Sequence, residues 1–306
     1  MIRHLFILGP TAVGKSALGL AVAERVGGVV ANMDAFQVYR GLDIGTGKAS
    51  KEDRARVEHG LLDLAGSLDG FSVADYLREA RGWLAGRKDG VVVWVGGTGL
   101  YYRTLRQGLA PAPGSDPAVL AALEALAPEA RVEEVRRVDP VWAAGADLAN
   151  PRRVIRALAV FRQTGRPLSA WQGDAVEALV PEGAACVLKM PPELLRRRIE
   201  ARVDALWAAG WPEEVRELAR LPGWGDAPAA RALGYREVRE WLQRGGDAAA
   251  VRAAIVQRTW HYARRQLTWL RREPNLRDIE IDNRFDPHAA ADVLLDWSDP
   301  ARPSRP

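Results

Sequence analysis

An apolar run from Leu5 to Leu8 passes directly into Gly9-Pro10-Thr11-Ala12-Val13-Gly14-Lys15-Ser16, and an amphipathic pattern follows to Val26. The octet fits G-x-x-x-x-G-K-[ST] in the setting that gives such a loop its meaning, a buried strand before it and a helix after it. Its glycines let backbone N–H groups turn inward on phosphate oxygens, and the helix N-terminus adds partial positive charge. Lys15 supplies a full charge, and the Ser16 hydroxyl can ligate Mg²⁺. On this reading the loop binds a small phosphorylated ligand, most naturally a nucleotide, at the head of an α/β domain.

The rest of the chain supports that fold class. Leu18, Val22 and Val26 give the first helix a buried stripe, and Gly27-Gly28 stops it. Val29 to Met33 reads as a second strand ending at Asp34, and Val91 to Val95 as a third ending at Gly96-Gly97-Thr98-Gly99. Strands alternating with helices predict a parallel, doubly wound sheet flanked by helices, like that of P-loop NTPases. The texture changes at Gly108, where Pro111, Pro113, Gly114 and Pro117 mark a boundary, and helical patterns run on to about Gln172. Ala184 to Met190 then reads as a strand returning to the sheet, followed from Glu193 by a helix with Leu195, Ile199, Val203 and Leu206 at core spacing. The expected division is an α/β core of residues 1–108 and 181–273, a helical insertion of residues 109–180, and a C-terminal segment, 274–306. That last segment has a weak pattern and ends in a frayed tail, Asp299 to Pro306.

Composition narrows the setting. Of 306 residues, 48% are hydrophobic and 27% charged, which excludes a disordered chain. The single cysteine, Cys186, excludes an internal disulfide framework and a cysteine-based metal site. No apolar run approaches the roughly 18 residues that span a bilayer, and the apolar opening is too short for a signal peptide. A soluble, cytoplasmic protein with no membrane partner is expected. The net charge is only +4, so the placement of the arginines matters more than their number.

A P-loop NTPase usually holds Mg²⁺ with an acid at the end of a hydrophobic strand. The strand Val91 to Val95 has none, whereas the strand before Asp34 ends in one. Asp34 is therefore the acid best placed at the strand tips, as a Mg²⁺ ligand, a general base, or simply a turn residue. Thr98, between two glycine turns, would present its hydroxyl at the same edge. Two stretches are basic and free of acid: Pro151 to Arg166, with Arg152, Arg153, Arg156, Arg162 and Arg166, and Arg252 to Arg272, which interleaves six arginines with Trp260, His261, Tyr262 and Trp269. Guanidinium forks suit phosphate and aromatic faces suit unstacked bases, so the pair looks like a nucleic-acid surface. The plainer alternative is solvated helix faces with aromatic residues in the core.

Taken in order, the motifs resemble those of the tRNA dimethylallyltransferase family along nearly the whole chain. Gly9 to Ser16 resembles the family's loop, Asp34 to Lys48 its second block and Gly96 to Tyr101 its third. Arg152-Arg153-Val154-Ile155-Arg156-Ala157-Leu158, Ala232 to Glu237 and Tyr262 to Leu270 complete the set. Ala35 stands for a usual Ser, Gly47 for Ala, Ala159 for Glu, and Leu120 where an Arg contacting tRNA is expected.

The resemblance implies transfer of a dimethylallyl group from dimethylallyl diphosphate to the N6 amine of the adenosine 3′ of the anticodon. It implies that Gly9, Pro10, Thr11, Ala12, Val13, Gly14, Lys15 and Ser16 bind diphosphate, that Ser16 holds Mg²⁺, and that Asp34, Thr98 and Lys15 are catalytic, Asp34 as the base. It further implies that Asp34, Ala35, Phe36, Gln37, Thr98, Arg152, Arg153, Val154, Ile155, Arg156, Arg231, Gly234, Tyr235, Arg236, Arg264, Arg265, Gln266, Thr268, Trp269 and Arg271 contact the tRNA anticodon stem-loop. A monomer is the family expectation. Three rivals share the loop: an ATP-dependent small-molecule kinase, a prenyltransferase acting on free adenine nucleotide, and a non-catalytic RNA-binding protein.

Overall fold

The structure, a computed structural model, describes residues 2–174 and 177–298; the expected frayed tail, 299–306, lies outside the described residues. The chain divides into two compact units, Met1–Arg106 with Leu179–Pro306, and Gln107–Ala178.

The first unit begins with β1 (Ile2–Leu8), α1 (Lys15–Val26), β2 (Val29–Asn32), α2 (Lys51–Arg56), β3 (His59–Gly60), α3 (Val73–Ala85), β4 (Gly90–Val95) and α4 (Gly99–Gln107). The second unit carries α5 (Pro117–Glu124), α6 (Pro128–Val138), α7 (Pro140–Gly145), α8 (Pro151–Thr164) and α9 (Leu168–Gln172). The chain then returns to the first unit with β5 (Ala184–Lys189), α10 (Pro192–Ala208), α11 (Trp211–Leu218), α12 (Tyr235–Arg244), α13 (Ala248–Leu270), β6 (Arg277–Glu280) and α14 (Pro287–Ser298).

The strands form one sheet in the order β3-β2-β4-β1-β5-β6, with every pairing parallel. The central strand β1 pairs with β4 from Ile2↔Gly90 to Ile7↔Val95, and with β5 from Leu5↔Ala184 to Leu8↔Val187. Strands buried on both faces read as continuous apolar runs, and successive side chains go to opposite faces. Accordingly Phe6, Leu8, Ala31, Met33 and Trp94 join one core cluster, while Leu5, Ile7, Val93 and Val95 join another with Leu18 and Val22 of α1. The register brings the loop after β1 and the glycine turn after β4 out at the same sheet edge. The chain order reverses there, and open α/β sheets bind ligands at such an edge.

Two strands carry no readable pattern. β3 is two residues long, and β6 is an edge strand in which only Ile279 is buried. The weakly patterned segment after Pro274 thus adds a strand beside β5 and a helix whose Ala290, Ala291 and Leu294 enter the core with Leu18 and Val22.

The second unit is entirely helical among the described residues. Leu123, Val135, Val154, Ile155, Ala157, Leu158 and Ala159 make its core. Asp139 caps α7 through the Trp142 N–H at 3.1 Å and accepts the Ser169 hydroxyl at 2.6 Å. Arg156 donates to the Pro113 carbonyl at 2.6 Å and to Ser115 Oγ at 2.9 Å, tying the entering segment to α8.

Candidate functional site

The phosphate loop has the backbone its sequence requires. Gly9 and Gly14 have φ of 150° and 110°, values that side chains rarely tolerate, and Ala12 adopts a left-handed φ of 65°. The first turn of α1 contains no acid, so nothing in it opposes an anion at the helix N-terminus. Lys15 folds back to donate to the Pro10 carbonyl at 2.7 Å. Burial pushes its ammonium down to about 8; the nearby Asp34 charge opposes that shift and Arg202 adds to it.

The loop is braced from three later parts of the chain: α13, α10 and the turn before α14. Gln266 of α13 is buried; its Oε1 accepts the Thr11 N–H at 2.8 Å and its Nε2 donates to the Gly97 carbonyl at 2.9 Å. Arg198 of α10 donates to the Val13 carbonyl at 3.2 Å and lies over the Phe285 ring. Phe285 in turn sits against Gly14, where a Cβ would come within 3.0 Å of its ring.

Asp34 follows β2. Its Oδ1 accepts the Phe36 N–H at 2.9 Å, an Asx turn, and its own N–H donates to Asn32 Oδ1 at 2.9 Å. Oδ2 has no hydrogen-bond partner among the described residues. The Thr98 hydroxyl accepts the Ala35 N–H at 3.2 Å, so it steadies the turn that carries Asp34.

Two cavities flank this turn. One of about 560 Å³ contains the loop residues Thr11, Ala12, Gly14, Lys15 and Ser16, with Gln37, Arg198 and Gln266. The other, about 270 Å³, has mixed walls, with Phe36, Val203, Leu206, Trp211 and Ile255 beside Arg231, Arg258 and Arg265. Thr11, Asp34, Thr46, Arg202 and Tyr262 line both. Burial lowers the Arg202 pKa, partly offset by Asp34, and a guanidinium remains cationic after such a shift. Burial, reinforced by the Asp34 charge, raises that of Tyr262, which therefore keeps its hydroxyl proton.

The sequence-selected residues separate clearly. Ala35, Phe36 and Gln37 lie on the Asp34 turn, and Arg231, Tyr235 and Arg265 border the second cavity. Arg264, Thr268 and Arg271 are exposed on or just beyond α13, and Arg236 is exposed on α12 near Glu240. Arg152 and Arg153 are exposed at the start of α8.

Several others have interior roles. Val154 and Ile155 are core residues of the second unit, and Arg156 is occupied by its own entering segment. Gly234 and Tyr235 are buried, Trp269 is half-buried against Gly99, and Gln266 braces the loop. The implied tRNA contacts thus include buried positions as well as exposed ones, because motif spacing does not distinguish a surface position from one that supports the surface. Arg198, Arg202 and Tyr262 were not singled out from the sequence as site residues. Acid-free character marks the neighbourhood of Tyr262, but nothing local distinguishes Arg202 among the arginines of α10.

Among the described residues no group of three or more His, Cys, Asp or Glu side chains could hold a metal unaided. No described helix is long and apolar enough to cross a membrane.

Residues 37–273 match the family model described as IPP transferase. The chain is 41% identical over 293 residues to a tRNA dimethylallyltransferase of Geobacter metallireducens, covering 93% of this chain and 94% of that one. It is 39% identical over 303 residues to one of Stenotrophomonas maltophilia, covering 94% and 93%. A solved tRNA isopentenylpyrophosphate transferase of Bacillus halodurans superposes with a TM-score of 0.67 at 30% identity, over 96% of this chain and 95% of that one. A crystallised eukaryotic dimethylallyltransferase acting on tRNA shares the fold with a TM-score of 0.79 at 22% identity, over 96% and 78%. A P-loop-bearing parallel sheet, matched over most of its length by family model, relatives and solved structure alike, places this chain in the IPP transferase family.

Proposed function

We propose that the chain is a tRNA dimethylallyltransferase, moving a dimethylallyl group from its diphosphate to the N6 amine of the adenosine 3′ of the anticodon. The observation that carries this reading is the position of Asp34. It stands where the phosphate-loop cavity meets the second cavity, with one carboxylate oxygen unpartnered among the described residues.

In this reading the diphosphate lies on Gly9 to Ser16, and the adenine, extruded from its stack, enters through the second cavity. The N6 lone pair attacks the allylic carbon as the carbon–oxygen bond breaks, and the bonding electrons leave on pyrophosphate. Developing charge on that leaving group is the main electrostatic demand, and loop N–H groups would meet it together with Lys15 and Arg202, which line the cavity. An adenine amine is a poor nucleophile, so Asp34 accepts its proton as the new bond forms. Thr98 acts by holding the Asp34 turn.

Mg²⁺ fits this donor set, since that ion commonly takes one or two protein oxygens and completes its shell with substrate phosphates and water. Ser16 would hold it, and bound there it would neutralise diphosphate charge. Exposed Arg152, Arg153, Arg264, Arg265 and Arg271 suit the phosphates of an anticodon stem-loop. The same reading has the enzyme working in the cytoplasm as a monomer, which a sedimentation measurement on the purified chain tests.

Incubation with labelled dimethylallyl diphosphate, Mg²⁺ and total tRNA tests the proposal, with label expected in tRNA. Transfer of γ-phosphate from ATP, or prenylation of free nucleotide only, would replace it by a rival. Asp34→Ala is expected to retain tRNA binding and lose nearly all turnover; near-normal turnover would remove the base assignment.

A further inference from the structure

The segment between the Asp34 turn and α2 borders both cavities, yet it has no regular secondary structure. Gly45 and Thr46 line the second cavity, and Thr46 and Gly47 the first. Its backbone carbonyls orient two side chains of the site. Thr46 accepts from Arg202 at 3.2 Å and from Gln37 Nε2 at 3.2 Å, and the Gly47 carbonyl accepts from Gln37 at 3.2 Å. Arg202 is thus directed by a loop rather than by a rigid element.

That loop is seated on one carboxylate. Glu214, in the first turn of α11, receives three consecutive backbone N–H groups. Oε2 accepts from Asp43 at 2.8 Å and Ile44 at 2.6 Å, and Oε1 from Gly45 at 3.0 Å. Oε1 also accepts the hydroxyl of buried Tyr235 at 2.6 Å, which ties in the start of α12. Successive N–H groups converging on an anion form a nest, a strongly directional arrangement. The loop rests equally closely on Trp211 of the same helix, since a Cβ at Gly45 would fall 2.0 Å from the indole nitrogen. At its far end Lys48, almost wholly buried, pairs with Asp43 at 2.5 Å and Asp63 at 2.7 Å.

We propose that Glu214 is a positioning residue for diphosphate recognition: by seating residues 43–45 it fixes the Thr46 carbonyl, and through that carbonyl the guanidinium of Arg202. All four groups at the carboxylate are donors, so an amide in its place would set an NH₂ against donors and release the loop. Tyr235, whose phenol is directed to Glu214, belongs to this support. The inference rests on the reading of the first cavity as the diphosphate site.

The test is a double-mutant cycle on the full-length protein, read as affinity for inorganic pyrophosphate by calorimetry. Wild-type protein must first bind pyrophosphate; if it does not, the diphosphate reading itself fails. Glu214→Gln is expected to weaken pyrophosphate binding about tenfold, the scale of one misdirected hydrogen bond to a charged group. In an Arg202→Met background the same change should add little, because its effect passes through Arg202. An equal loss in both backgrounds, or none in either, overturns the proposal. Tyr235→Phe removes one of the four hydrogen bonds and leaves the nest. It serves if Glu214→Gln does not fold, with a smaller loss expected that is likewise absent without Arg202. A purely structural role would lower the thermal midpoint without this dependence on Arg202.

Discussion

Lys15 combines two features that pull in opposite directions, a buried position and a place beside the proposed diphosphate site. Burial brings its pKa to about 8, so the free enzyme loses this charge as pH rises through that value. A bound diphosphate favours the ammonium form. Binding above that point therefore takes up a proton, and affinity falls by roughly tenfold for each further pH unit. Pyrophosphate titrations in buffers of different ionisation enthalpy should show the uptake, and Lys15→Met should abolish it; a pH-independent affinity up to pH 9.5 would contradict the assignment. Lys15, Ser16, Asp34 and Thr98 were legible in the sequence because each sits in a local motif, within a few residues of a strand end. Arg202, Glu214 and the bracing role of Gln266 were not. Their partners lie in distant segments (Gln266 holds Thr11, Glu214 holds Asp43 to Gly45), and no periodicity records such pairings.

At the scale of elements, α13 serves both the core and the surface. Its inward face carries Ile255, Thr259, Ala263, Gln266 and Leu270, and its outward face Arg264, Arg265 and Thr268. Arg252 and Arg258 face acids, Asp204 and Glu237, whereas Arg264, Arg265, Arg271 and Arg272 have no ion-pair partner among the described residues. Freedom from acid in the sequence therefore translates into uncompensated charge at only one end of the helix. If that end meets RNA phosphates, tRNA affinity falls steeply with salt, and each of these arginines changed to Gln should lower the log–log slope by roughly 1. Filter binding over a salt series measures this, and an unchanged slope in the quadruple variant would remove the element from the interface. The strands show the same dependence on length. β1, β2, β4 and β5 announce themselves as apolar runs, while β3 and β6 are too short and too polar to do so.

The first unit as a whole is closed by its last helix. Ala290, Ala291 and Leu294 share a core with Leu18 and Val22, and Arg25 pairs with Asp292 at the surface. Ending the chain at Asp286 uncovers the outer face of α1. It should cost several kcal/mol and lower the calorimetric midpoint by roughly 10 °C; an unchanged midpoint would show that α14 is dispensable.

Phe285, pressed against Gly14, gives this closure a further meaning in time. The chain is synthesised from its N-terminus, and domains tend to fold as they emerge. A nascent chain that has emerged only as far as α4 has the phosphate loop but lacks Arg202, Gln266 and Phe285 around it. The phosphate loop is therefore made well before Arg202, Gln266 and Phe285, the residues that complete its surroundings.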